Sequence, residues 1–125
     1  MTRKRLVVAM ALLIGLVSIW RLYIFVRYSE SLVQARILKA TPFGTDFIVV
    51  EDYVKAKGWE LSFLSKTHGF LDQRTRPATT SGEMYIQASV ASYYDLLPAD
   101  ITAFWGFDRS GELVDLWVWK TFDGP

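Results

Sequence analysis

The groups that could do chemistry are few in this chain. Its single histidine, His68, stands four positions before Asp72 in HGFLDQ, and serines recur in ASVAS, Ala88–Ser92. A hydrolase would need that histidine oriented by a carboxylate and within reach of a nucleophilic hydroxyl. The segment around His68 does not read as helix, so the spacing puts no histidine–aspartate pair on one face. No serine is singled out as its partner. There is no cysteine, which removes thiolate chemistry, disulfides and cysteine zinc sites, and one histidine leaves a metal short of ligands. Glycine-rich phosphate loops and dinucleotide fingerprints are absent from the sequence. Asp46, Glu51, Asp52 and Asp72 read as solvated charges. We therefore expect no catalytic residue, no metal and no cofactor. A small hydrolase or ligand-binding enzyme using His68 is kept as an alternative.

A different kind of candidate lies in ITAFWGFDRSGELVDLWVWK, Ile101–Lys120. Asp108 and Gly111 predict a hairpin turn, a type I turn followed by a glycine bulge. In that register Asp108 faces Glu112, Phe107 faces Leu113 and Trp105 faces Asp115. One face then carries Trp105, Phe107, Asp115, Trp117 and Trp119, and the other Phe104, Val114, Leu116, Val118 and Lys120. A slip of one residue would exchange the faces of one strand against the other. The aliphatic face suits a packed helix. The aromatic face is either covered by the connector helix or the Trp59 strand, or it is a contact surface for a partner. Asp115 argues for a wet face, because a carboxylate among rings is costly to bury unpaired. With Lys120 on the opposite face, an arginine from a binding partner is its expected mate. The expected partner-binding set is thus Trp105, Phe107, Asp115, Trp117 and Trp119.

These residues need a scaffold. TDFIVVEDYVKAKGW predicts an amphipathic helix, with Thr45 or Asp46 as cap, Phe47, Val50 and Val54 inward, a Glu51–Lys55 pair outside, and Gly58 as the stop. From Trp59 the period becomes strand-like. WELSFL alternates Trp59, Leu61 and Phe63 against Glu60, Ser62 and Leu64. HGFLDQ reads as a short strand, RTRPATTSGE as an exposed loop, and EMYIQASV as a strand with Met84, Ile86, Ala88 and Val90 on one side. SYYDLLPAD reads as a connection. The fold class is α+β: an N-terminal transmembrane helix, then one or two helices on a four- to five-stranded antiparallel sheet.

The chain begins with Arg3, Lys4 and Arg5, and no charge follows from Leu6 to Trp20. Past Arg21 the apolar run resumes to Val26. Leu6–Val26 makes about 31 Å of helix, enough for a hydrocarbon core of roughly 30 Å. Trp20, Tyr23 and Tyr28 fit an interfacial belt. Leu6, Trp20 and Val26 mark the anchor. A cleaved signal peptide is the alternative, but the small-x-small sites at Ser29–Ser31 and Val33–Ala35 lie far past the apolar run. Boundaries follow at 1–27 for the anchor (or signal peptide), 28–44 for a partly helical connector and 45–125 for the α+β domain. The basic start favours a cytoplasmic N-terminus and a periplasmic domain on a single-pass inner-membrane anchor. A net charge of +1 over 125 residues gives no reason to expect nucleic acid.

PFGTDFIVVEDYVKAKGW followed by FWGFDRSGELVDLWVWK resembles small membrane-targeted bacterial proteins. The order of elements is also similar to the SmpA/OmlA-type module of outer-membrane assembly lipoproteins, whose likeness implies a helix pair against a three-stranded antiparallel sheet. The lipidated cysteine of those lipoproteins is missing here, and no functional residue carries over. The function expected is a membrane-anchored, non-enzymatic periplasmic interaction module. The partners expected are the membrane and a protein. A structural subunit of an inner-membrane complex, contacting through its transmembrane helix, is the other non-enzymatic reading.

Overall fold

The computed structural model describes residues 2–95 and 97–122. Leu96, inside the expected connection, and the last three residues of the expected domain lie outside them. Helix α1 (Arg3–Tyr28) is exposed almost all round, and Ile24 is its buried residue. It is long and apolar enough to cross a membrane, and an all-round apolar helix with so little protein cover suits lipid better than water. The apolar N-terminal helix expected from the sequence is therefore present. It is compatible with a single-pass anchor or a signal sequence.

At Ser29 the backbone turns extended and α2 (Glu30–Ala40) begins. Arg36 secures the join by donating to the Val26 carbonyl (3.3 Å) and the Arg27 carbonyl, groups left open at the end of α1. Val33 and Ile37 of α2 are buried in the core. The connector expected at 28–44 thus contributes to the domain. At its end the buried Thr41 hydroxyl donates to the Ile37 carbonyl (2.8 Å) and accepts from Trp105 Nε1 (3.3 Å).

Helix α3 (Phe47–Ala56) buries Phe47, Val50 and Val54 as the period predicts. Lys55 meets Glu51 at 3.1 Å, and Gly58 takes φ +70° at the stop. Asp46 occupies the cap position without a side-chain hydrogen bond, and Thr45 donates to the Pro42 carbonyl (2.5 Å) instead. The capping expectation is corrected there.

The strands are β1 (Glu60–Ser65), β2 (Phe70–Asp72), β3 (Thr79–Ser81), β4 (Met84–Asp95), β5 (Leu97–Phe107) and β6 (Leu113–Phe122). They form a four-stranded antiparallel sheet ordered β1-β4-β5-β6 and a separate β2–β3 ribbon. The α+β class holds. In the expected connection SYYDLLPAD, residues 92–95 belong to β4 and 97–100 to β5, so they are paired strand and not free chain. Pro98 is tolerated in β5 because pairing with β6 starts only at Ala99. Ile86, Ala88, Ile101, Ala103, Trp105, Leu116 and Val118 join the buried helix residues in one core.

Three register shifts set which face each residue takes, one of them in β4 between Ser89 and Ala91. The hairpin turn forms as expected, with Asp108 N to Glu112 O at 2.9 Å and Phe107 opposite Leu113. The register then shifts, so that Gly106 faces Asp115, Trp105 faces Leu116 and Phe104 faces Trp117. Val114 is left unpaired and exposed. Trp105 and Phe107 therefore turn to the helix side, each 0% exposed. They do not share a face with Trp117 and Trp119, which corrects the aromatic set read from the sequence. Another shift in β1, between Leu61 and Phe63, leaves Trp59 and Leu64 packed on the core while Phe63 stacks on Tyr85 of the outer face.

Candidate functional site

The outer face of the sheet holds an aromatic cluster built from three segments. Cross-strand pairing sets Phe104 beside Trp117, with centroids 4.8 Å apart and planes at 19°. Trp119, two residues on, stacks on Trp117 at 4.9 Å. Phe70 enters from the β2–β3 ribbon, 5.5 Å from Phe104 and 6.2 Å from Trp117. The ribbon is thus a flap over the lower half of this face, and Trp117 is only 7% exposed beneath it. The segment expected to be an exposed loop supplies β3 of this cover. Neither the connector helix nor the Trp59 strand provides it.

A polar clasp closes the flap. Arg74 donates through Nε and Nη2 to the two carboxylate oxygens of Asp72 (2.8 and 3.1 Å) and through Nη2 to Asp115 (2.6 Å). Ser81 of β3 donates to the same Asp115 oxygen at 2.6 Å. The Arg74 guanidinium also lies over the Trp117 ring, 5.6 Å from its centroid. Its hydrogen bonds to Asp72 hold that carboxyl below the usual carboxylate range. Asp115 therefore has its arginine within the chain, in place of the partner arginine expected. The spacing D-x-R, Asp72 and Arg74, marks only the local pair at the end of β2, and nothing in it points to Asp115. The aromatic face did not reveal the contact either. Of the five residues read as a contact set, Trp117, Trp119 and Asp115 are brought together, and only Trp119 of these rings stays half-exposed.

His68 sits on an exposed turn, and its Nδ1 lies 3.0 Å from the Gly69 carbonyl. Its ring packs near Tyr85 (5.6 Å) and Phe63 (6.2 Å). It borders a shallow depression of about 360 Å³ that also includes Glu83. Glu83 is held by Arg109 Nε at 2.7 Å, and no carboxylate bonds to His68 among the described residues. No cluster of metal-ligating side chains occurs among them either. His68→Ala is expected to change unfolding free energy by under about 0.5 kcal/mol, as exposed positions do. Urea denaturation checks this, and a larger loss would mean the ring carries structural weight.

Two other regions stand out. At the turn end of the β5–β6 hairpin, Ile48 and Val49 project from the first turn of α3, 64% and 52% exposed. They border a depression of about 560 Å³ together with Met84 and Gly111. The backbone ties this corner together, with Phe47 N to Gly111 O at 2.8 Å and Gly44 N to Leu113 O at 2.8 Å. Exposed Phe43 and Val114 flank the second of those bonds. At the opposite end of the strands, a cavity of about 410 Å³ opens between the exit of α1, α2, α3 and β4. Arg27, Arg36 and Lys57 line it with Tyr28, Tyr53 and Trp59. No protein-family model matches the chain, and comparison with curated proteins and with solved structures finds no similar one.

Proposed function

We propose that this chain is a membrane-anchored, non-enzymatic interaction module, with its N-terminus in the cytoplasm and its α+β domain in the periplasm. The observation that carries it is the apolar corner formed by Ile48, Val49, Met84, Phe43 and Val114. Helix α3 already commits Phe47, Val50 and Val54 to its own core. In its first turn Ile48 and Val49 stay more than half exposed on the outer side, and grouped exposed apolar residues mark association surfaces. Its position favours a protein over lipid. Tyr28, the last residue of α1, stacks on Tyr93 near the β4–β5 turn. The apolar corner sits at the β5–β6 turn, at the other end of a strand about 33 Å long. The partner surface thus faces away from the bilayer. Arg3, Lys4 and Arg5 ahead of the apolar span support the orientation.

A photo-crosslinking residue in place of Ile48, in native membranes, is expected to trap a discrete protein adduct. The same residue at Glu60, exposed in β1 and opposite Ser89 away from this corner, is expected to trap none. In parallel, a C-terminal phosphatase fusion should be active and a C-terminal fluorescent-protein fusion dark. Equal trapping at both positions, or none at either, removes the contact surface. The reverse fusion pattern removes the periplasmic placement.

A further inference from the structure

The cavity beneath the exit of α1 combines features that no core requirement explains. Its floor is apolar, with Val33 and Ile37 from α2 and Ile101 from β5. Its rim carries Arg27 from α1, Arg36 from α2 and Lys57 at the end of α3, and its lining contains no carboxylate. Among the described residues none of these three cations is in an ion pair with Asp or Glu. Arg27 spends its Nε on the Tyr28 hydroxyl (3.2 Å) and Lys57 lies over the Tyr53 ring, 5.8 Å from its centroid. Arg36 uses part of its fork on the α1 carbonyls, which fixes the side chain and leaves further donors for an acceptor. Three cations gathered without an anion repel one another, and an incoming anion relieves that repulsion.

The depth of the cavity says what the anion is attached to. Arg27 follows the Leu6–Val26 span directly, so the cavity lies at headgroup level when α1 crosses the bilayer. The β4–β5 hairpin end lies at the same level, since Tyr28 stacks on Tyr93 at 4.0 Å. That end presents Tyr94, 74% exposed, with exposed Leu97 and Phe122. Amphipathic rings and apolar side chains of this kind settle at a membrane interface. Guanidinium and ammonium groups above an aromatic and aliphatic floor match a phosphate joined to an apolar tail.

We propose that this cavity binds the phosphate headgroup of an anionic membrane lipid. The proposal rests on the membrane-anchored reading of α1 given above. The full chain is purified in a neutral detergent and offered equimolar phosphatidylglycerol and phosphatidylcholine, and native mass spectrometry reads the retained lipid. The wild type should keep phosphatidylglycerol in preference. Arg27→Gln with Lys57→Gln should weaken that retention roughly tenfold or more, since one hydrogen bond to a charged group contributes about a factor of ten. Arg36 is left intact because it also closes the end of α1. Arg76→Gln with Arg109→Gln, an equal charge change away from the cavity, should retain the preference.

Equal retention of the two lipids overturns the proposal, and so does a preference that survives the Arg27 and Lys57 changes. Soluble glycerol phosphate that competes at the same concentration as the lipid overturns it in favour of a free phosphate compound. The spectrum separates this from the anchor reading. A mass lacking α1 defeats the anchor, whereas an intact chain without lipid preference defeats only the cavity.

Discussion

Trp105→Ala should destabilise the domain by about 3–5 kcal/mol, the range for removing a fully buried large side chain. Trp105 is inaccessible and packs against Trp59, with ring centroids 6.5 Å apart. Its indole N–H also ties β5 to the end of α2 through the Thr41 hydroxyl. Removing it leaves a cavity where both helices meet the sheet and strips a buried hydroxyl of one partner. Trp119→Ala is the matched comparison, two positions past Trp117 on the outer face. Half-exposed and stacked on one ring, it should cost about 1–2 kcal/mol, between a surface and a core change. Urea denaturation of the full chain in detergent, followed by circular dichroism, measures both. Equal costs would mean the two tryptophans lie in equivalent environments. The slipped register would then be wrong.

That slip shows how far the residues could be read without coordinates. The turn was legible because its chemistry is local. Asp108 accepts from the Glu112 amide at 3.0 Å, and Gly111 takes φ +86°. Helix α3 was legible because Phe47, Val50 and Val54 repeat at helical spacing within a ten-residue helix. The faces of β6 were not. Leu113, Val114, Asp115 and Leu116 offer no glycine or proline to mark where one residue drops out of the ladder. Both faces are apolar as well, so neither register wastes hydrophobic surface. The partner of Asp115 was illegible for another reason. Arg74 lies 41 positions earlier, in a polar stretch whose composition suggests a loop. Only the flap's docking brings it close. Ile48 and Val49 gave no signal of their own because the inner face of α3 already satisfied the helical pattern.

Gly69→Ala should release the flap while leaving the four-stranded sheet intact. A Cβ at Gly69 would stand 2.0 Å from the Ser81 carbonyl oxygen and 2.3 Å from that of Gly82. Both are backbone atoms, so no side-chain rotation relieves the clash. The β2–β3 pairing, Phe70 opposite Ser81, has to separate. Overpacking costs about 1–3 kcal/mol or more, and withdrawing Phe70 from Phe104 and Trp117 adds to it. Amide exchange in the Phe70–Ser81 segment should then accelerate roughly a hundredfold, taking about 3 kcal/mol at a factor of ten per 1.36 kcal/mol. Amides of β4, β5 and β6 should stay protected, because their core is on the other face. Acid should act on the same latch in the wild type. The Asp72 carboxyl is held low by its bonds to Arg74. Its contribution is therefore present above the ordinary aspartate pKa of about 4 and fades as pH falls through the lower folded value. Arg74 is partly exposed, so solvent screening makes the acid effect the smaller of the two. Flap exchange, corrected for its intrinsic pH dependence, should rise on acidification before that of β5. If Gly69→Ala instead unfolds both sheets together, the flap is part of the main cooperative core. Its cover of Trp117 would then be as permanent as the sheet itself.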